Sequence, residues 1–248
     1  NVRVQAWPLV KGKVEVDEVT LSQVAFNSAN LIEGMKIKGV LGRFFLQSHG
    51  VDLSNELAVI NQTELSDTHV QMLMNDTTTT PKDTTASAPV NWKVDLHKLK
   101  LKNVSFSMQL PADSMRMAAH IGEAFINDAQ ADLKNQFYEL KQFLLSGSSA
   151  NYDTGAAKPG EGFDASHIAV RDIRIGLDSL LYKGRDMNAV IREFSMNERS
   201  GLSITSLTGR AFSNDSIIRI PGIKLQTPHS EIDLSAQTYW ELVNIPTT

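Results

Sequence analysis

The chain has 248 residues, 42% of them hydrophobic, and a formal net charge of −4. This length supports one large domain or two small ones, and the mild charge without a basic cluster argues against nucleic-acid binding. The lack of cysteine excludes disulfides, thiol catalysis and cysteine-ligated metals. No apolar run reaches the roughly 18 residues of a membrane helix, and no signal peptide is visible.

The first predicted element is the stretch VEVDEVTLSQVAF, residues 14–26. Its apolar residues start with a strand-like step of two, but steps of three interrupt the alternation. On a regular strand each step of three would send the next apolar residue to the opposite face. A β-bulge restores the phase and sharpens the twist, so we predict a bulge at each slip. A helix is the rival interpretation, which the β-branched and aromatic residues disfavour.

The same pattern, apolar-x-apolar-x-x-apolar-x-apolar, recurs along the chain at irregular spacing. Such spacing argues against a solenoid of fixed period and predicts long strands joined by loops. The strongest copies supply our candidates for the lining of an apolar groove: Val14, Val16, Val19, Leu21, Val94, Leu96, Leu99, Leu101, Ile168, Val170, Ile173, Ile175, Ile218, Ile220, Ile223 and Leu225. Another copy spans 138–145, and weaker ones span 58–65 and 189–196. We therefore predict a mainly β protein with a long, curved, bulged antiparallel sheet that forms an elongated apolar groove.

Residues 114–145 are ambiguous between helix and strand. Their composition of Ala, Met, Leu, Glu, Lys and Gln favours a helix, and several apolar residues have helical spacing. The alternation of Met115, Met117, Ala119 and Ile121 and the motif copy at Tyr138 favour strands. We predict strands here, with a helix as the open alternative.

Three stretches predict breaks between strands: a Thr-rich loop at 75–89, a Gly- and Ser-rich loop at 146–162, and a turn at Asn197–Gly201. The motif occurs on both sides of the first two breaks. We therefore interpret residues 1–248 as a single β segment interrupted by loops.

No catalytic motif emerges from the sequence. The six histidines form no HExxH pair, and Gly201 to Thr205 lacks the second glycine of a nucleophile elbow. The acidic residues are scattered, and the alternating Lys98, Lys100 and Lys102 suggest the solvent-exposed face of a strand. We therefore predict a protein that is not an enzyme and needs neither metal nor cofactor. An enzyme is the alternative only if distant residues assemble a pocket that collects His and carboxylate side chains.

Residues 163–234 carry a resemblance to a known family. They contain a predicted strand pair ending near Tyr182, the turn Glu198-Arg199-Ser200-Gly201-Leu202, and the step Thr227-Pro228-His229-Ser230 before another strand. This order resembles the AsmA-like family, in particular the TamB-type translocation and assembly proteins of Bacteroidetes-like bacteria. A weaker sequence similarity extends towards the N-terminus, through Trp92 to the first motif copy at Val14.

The resemblance implies a periplasmic segment of a longer, inner-membrane-anchored protein. Such proteins are implicated in moving phospholipid towards the outer membrane through an apolar β groove, and TamB-type members work with a BamA-like outer-membrane barrel. It thus implies phospholipid acyl chains as ligands, and such a barrel as a partner through regions outside this chain. The alternative is a structural or protein-interaction scaffold whose apolar face is sealed in a core. If the apolar face is an open groove, we expect the variant Ile173→Asp to lose acyl-chain binding.

Overall fold

The structure, a computed structural model, describes residues 2–5, 13–32, 35–74, 91–155 and 158–242, with side chains for 18–28, 35–74, 91–155 and 158–242. It confirms the mainly β prediction. The strands are β1 (Val2–Gln5), β2 (Lys13–Ile32), β3 (Met35–Asp52), β4 (Leu57–Met74), β5 (Lys93–Leu110), β6 (Met115–Asp132), β7 (Phe137–Asp153), β8 (His167–Lys183), β9 (Asp186–Glu198), β10 (Ser203–Ile204), β11 (Ser206–Ser213), β12 (Ile217–Gln226) and β13 (Glu231–Tyr239). A single 3₁₀ turn, Trp240–Leu242, follows β13.

All thirteen strands belong to one sheet, and their order follows the sequence, with β10 pairing only with β9. Every pair is antiparallel except β4 and β5, which run parallel. The prediction of an antiparallel sheet therefore needs this correction, and the sheet is mixed. Eighteen residues, 75–92, separate β4 from β5, and a parallel connection needs about a dozen or more.

Residues 114–145 form strands, so the strand prediction is confirmed and the helix alternative is wrong. They contain all of β6 and the first half of β7. In β6, Met115 lies opposite Leu110 and Met117 lies opposite Met108 of β5. This cross-strand pairing of apolar residues on both sides of β6 overrides the helical propensity of the segment.

The predicted loop at 146–162 begins too early, because β7 continues to Asp153. Residues that suggest a loop are accommodated inside the strand: Gly147 has φ of 59°, and Ser148 Oγ donates to the Ser146 carbonyl over 3.1 Å. The turn at 197–201 is confirmed, since β9 ends at Glu198 and Gly201 N–H bonds to its carbonyl. The predicted loop at 75–89 lies outside the described residues.

A line of left-handed residues crosses the middle of the sheet, and we call it the crease. Three of its members occupy the second x of an x-x step: Gln23, Asn103 and Asp172, with φ of 53°, 51° and 55°. Asp67 and Gly147 continue the line with φ of 50° and 59°. Asn, Asp and Gly tolerate this conformation best. At Asp172 the register with β9 shifts, as a bulge requires. At Gln23 and Asn103 the predicted bulge is wrong, because the register with β3 and with β6 continues unchanged and the slip coincides with a left-handed residue instead.

The crease is continuous because glycines fill the strands between its left-handed residues. The register places Gly42 opposite Gln23 and Gly122 opposite Asn103. A Cβ on Gly42 would lie 2.5 Å from the Asp67 carbonyl oxygen, and one on Gly122 would lie 2.6 Å from that of Gly147. The backbones thus approach too closely along this line for a side chain.

The described residues contain no sealed hydrophobic core. Ala58 and Ala124 are their only buried apolar residues, and none of the large apolar side chains is fully buried. The described part of the chain is therefore a single layer.

Candidate functional site

Apolar side chains line up across the sheet from strand to strand. Residues directly opposite each other in a ladder project from the same face, so the register defines which side chains form a row. One row crosses eight consecutive strands without a polar member: Leu21, Phe44, Leu65, Leu101, Ala124, Leu145, Ile175 and Phe194.

A second row runs beside the first and reaches the last strand. It consists of Val19, Leu46, Thr63, Leu99, Ile126, Phe143, Leu177, Ile191, Gly209, Ile223 and Leu234. From β2 to β8 its members stand two residues from those of the first row, and residues two apart on a strand share a face. We call the two rows together the apolar band.

The apolar band is accessible from one side. Its members are half-buried, apart from the buried Ala124 and from Leu234, which is 46% exposed. Extensive contacts between strands are confined to pairs that share hydrogen bonds in the sheet. No second layer of described residues covers the band, so a side-chain-lined apolar strip is open to a ligand.

The structure brings only part of the predicted groove lining into the band. Six of the sixteen candidates belong to it: Val19, Leu21, Leu99, Leu101, Ile175 and Ile223. Val94 and Leu96 lie further along β5, opposite Ala131 and Ala129.

The other candidates flank the band or cannot be placed. Ile168, Val170 and Ile173 lie opposite Tyr152, Ala150 and Ser148 of β7, at or beyond the crease. Ile218, Ile220 and Leu225 lie opposite Thr238, Ala236 and Ile232 of β13. The backbones of Val14 and Val16 are in β2, but their side chains lie outside the described part of the chain.

Sequence reasoning missed the contribution of β3. Phe44 and Leu46 sit in the band, yet no motif copy was assigned to residues 35–52. The signal was present, because Leu41, Phe44 and Leu46 repeat the step of three followed by two. The series of apolar residues in β3 is interrupted by Lys38, Gly39 and Gly42, which makes the motif harder to recognise.

A polar cluster of His97, Asp128 and Lys141 lies on β5, β6 and β7, outside the crease. Asp128 is itself left-handed, with φ of 49°. His97 Nδ1 lies 3.2 Å from Asp128 Oδ1, and Lys141 Nζ lies 3.5 Å from its Oδ2. The hydrogen bond with His97 is the main cause that lowers the pKa of Asp128. These side chains are largely exposed, so they form a solvated polar cluster rather than a reactive centre.

The described residues offer no metal-binding group of three His, Asp or Glu side chains. Lys98, Lys100 and Lys102 are exposed, as their alternation predicts. None of the described helical residues forms a segment with the length and hydropathy of a transmembrane helix. The apolar band is thus the most extensive chemical feature among the described residues.

Comparison with known proteins does not assign the chain to a family. No model of a known protein family matches the chain, and no curated protein matches it. Proposals about its function therefore depend on its fold, its surface and the resemblance of residues 163–234.

Proposed function

We propose that this chain is a non-enzymatic lipid-binding segment that holds phospholipid acyl chains against the apolar band. The observation that carries this proposal is the band itself, which crosses eleven strands and is covered by no second layer of described residues. Extended apolar patches on soluble proteins mark ligand or partner sites. Each methylene group of an acyl chain that leaves water contributes about 0.8 kcal/mol.

The dimensions of the band favour an extended hydrocarbon chain over a compact ligand. Ten strand spacings of about 4.8 Å give a length of roughly 50 Å, whereas two rows on one face span only about 7 Å along each strand. A long, narrow apolar strip matches the shape of an acyl chain. The crease runs beside this strip from β2 to β8. We propose that it curves the sheet there into a trough with the band inside.

We place this segment in the periplasm, within an inner-membrane-anchored protein that transports lipid or assists outer-membrane assembly. The support is the resemblance of residues 163–234 to TamB-type proteins of the AsmA-like family. A BamA-like outer-membrane barrel is then a candidate partner through other regions of that protein. This chain contributes the lipid-binding surface.

A protein-interaction scaffold is the second candidate function. It is favoured by β13, an edge strand on which eight of nine residues are exposed. Ile232 and Leu234 on this strand are 52% and 46% exposed. An exposed edge of this kind can pair with a strand of another protein.

The test is native mass spectrometry of the chain purified from a bacterial host without denaturant, followed by lipid extraction. We expect stoichiometric phospholipid that survives purification or rebinds when it is added. Reproducible absence of lipid, together with failure of added lipid to bind, would contradict lipid binding and favour the scaffold.

A further inference from the structure

A cleft separate from the apolar band lies at one end of the sheet, where β5 ends and β6 and β8 begin. Its volume is about 600 Å³, within the range of small-molecule sites. Its charged lining residues are Arg116, Asp153, Lys158 and His167. The cleft therefore combines cations, a carboxylate and an imidazole in one concave surface.

His167 is held rigidly at the wall of this cleft. Its side chain is only 6% exposed, and its Nδ1 lies 2.9 Å from Asp164 Oδ2. The backbone N–H groups of Gly160 and Ser166 also bond to Asp164 and, with His167, keep the pKa of that carboxyl below its usual value. Asp164 is thus an anion that accepts from Nδ1–H.

The other ring nitrogen of His167 is free to meet a ligand. Nε2 makes no hydrogen bond with a described residue, yet no side-chain nitrogen or oxygen in the described part of the chain is both buried and unpartnered. Nε2 must therefore be accessible, and His167 lines the cleft. When the ring is protonated, it presents an Nε2–H donor to a ligand there.

Two cations in the cleft have charges that no neighbour neutralises. Arg116 and Lys158 are exposed, and neither forms an ion pair with a described residue. Asp153 lies directly opposite Arg116 on one side and His167 on the other, but forms no ion pair with either. Among the lining residues, two positive charges face the one negative charge of Asp153, while the Asp164 carboxylate is paired with His167.

We propose that this cleft binds a phosphate group between the Arg116 guanidinium, the Lys158 ammonium and Nε2 of His167. The planar fork of arginine suits two oxygens of a phosphate, and lysine supplies a compact charge. A phospholipid headgroup and free phosphate share this chemistry.

A link between this site and the acyl chains rests on the proposed function. Leu110 and Met115 also line the cleft and lie opposite each other at the ends of β5 and β6. Arg116 follows Met115 directly on β6 and so projects from the other face. An amphiphile with its phosphate in the cleft would therefore reach these two apolar side chains around the end of the sheet. A lipid with a phosphate group should then bind more tightly than free phosphate.

Isothermal titration calorimetry of the whole chain tests the site with inorganic phosphate and with monomeric dihexanoyl phosphatidic acid. We expect one equivalent of each to bind, the lipid more tightly. Arg116→Gln and Lys158→Gln should each weaken phosphate binding about tenfold, the loss expected for one charge-assisted hydrogen bond. Asp153→Asn should tighten it, because it removes the opposing charge. The matched control is Lys100→Gln, at an exposed lysine on β5 outside the cleft.

Several results would overturn the site: no phosphate binding, equal weakening by Lys100→Gln, or weaker binding in Asp153→Asn with native-like circular dichroism. Equal affinity for free phosphate and lipid would support the phosphate site but overturn its link to hydrocarbon. Phosphate binding that persists in a chain unable to bind long acyl chains would contradict the proposed function alone. Loss of phosphate binding with intact acyl binding would contradict this inference alone.

Discussion

Asn103 donates a hydrogen bond from its Nδ2 to Oδ1 of Asp67 over 2.8 Å, and both residues have φ close to +50°. They lie opposite each other on β5 and β4, the only parallel pair in the described sheet. Each is a left-handed residue in the middle of a long strand. The crease is therefore continuous across the parallel pair β4 and β5, where this hydrogen bond joins its two left-handed residues.

Asn103→Ala is expected to destabilise the protein more than Asn103→Gly. Both variants lose the bond to Asp67, but only alanine bears the left-handed strain, which is about 1 kcal/mol for a residue with a Cβ. The measurement is the free energy of unfolding in urea. In an ordinary strand position the order is reversed, because glycine costs about 0.5–1 kcal/mol relative to alanine.

The matched control is the neighbouring Lys102, which is exposed and has no positive φ. Lys102→Gly should be less stable than Lys102→Ala. If the alanine variant is the more stable one at both positions, the left-handed conformation of Asn103 is wrong.

Gly122→Ala should destabilise the sheet by about 1–3 kcal/mol, the usual cost of forcing an extra methyl into a packed position. The new Cβ would meet the carbonyl oxygens of Gly147 and Ser146 at 2.6 and 2.8 Å, and backbone cannot move aside as a side chain can. Gly222→Ala on β12 is the control, because nothing lies within 4 Å of its added Cβ. Similar thermal midpoints for the two variants would contradict the close approach along the crease.

Ile175→Asp should abolish the binding of long acyl chains while the fold persists. Ile175 lies between Leu145 and Phe194 in the apolar band and is only half-buried, so a charge there interrupts the strip without filling a sealed core. Arg174→Asp is the matched control, because this exposed neighbour projects from the other face. Native mass spectrometry with added phospholipid reads out both variants.

We expect Ile173→Asp to abolish binding as well, although its position beside the crease makes it the less clean probe. Lipid retained by a folded Ile175→Asp variant, or lost equally from Arg174→Asp, would refute the band as the binding surface.

Glu198→Gln should lower the thermal midpoint at neutral pH but not in acid. Hydrogen bonds from Ser200, and further ones from the backbone N–H groups of Ala169 and Arg199, lower the pKa of Glu198 in the folded chain. Its carboxylate therefore stabilises the fold above its unfolded pKa of about 4.3, and this contribution disappears as pH falls through the lower folded value.

Thermal melts of both proteins between pH 3 and pH 8 should thus show a constant gap above about pH 5 that narrows below about pH 4. Glu193→Gln, at an exposed glutamate on the same strand, is the control for the loss of one surface negative charge. A gap that widens in acid would reverse the assigned sign.

The strands could be predicted from sequence because their signal is local. Val, Ile and Phe at steps of two and three predicted β2, β5, β8 and β12, and the slip before Val104 corresponds to the left-handed Asn103. For residues 114–145, composition alone favours the wrong structure, because Met, Ala and Leu occur in both helices and strands. Its pairing with β5 decided the question through contacts that no local window contains.

The candidate band was only partly predictable for the same reason. Leu21, Leu101 and Ile175 can each be recognised as apolar positions of a motif. The amino-acid sequence does not show that they lie in one row across the sheet. Phe44 joins that row only because β3 lies between β2 and β4. The cleft is still more remote from the sequence, because Arg116 and His167 are 51 positions apart in the numbering and meet across β7.

By itself, the sequence determined that this chain builds long strands with periodic interruptions, because side-chain alternation and left-handed Asn, Asp and Gly are properties of a few neighbouring residues. The tertiary structure alone decided the strand order, the parallel step between β4 and β5, and the arrangement in which no other described segment covers the apolar band. These features depend on which distant backbones share hydrogen bonds, and strands of similar composition can pair in many orders at nearly equal local free energy.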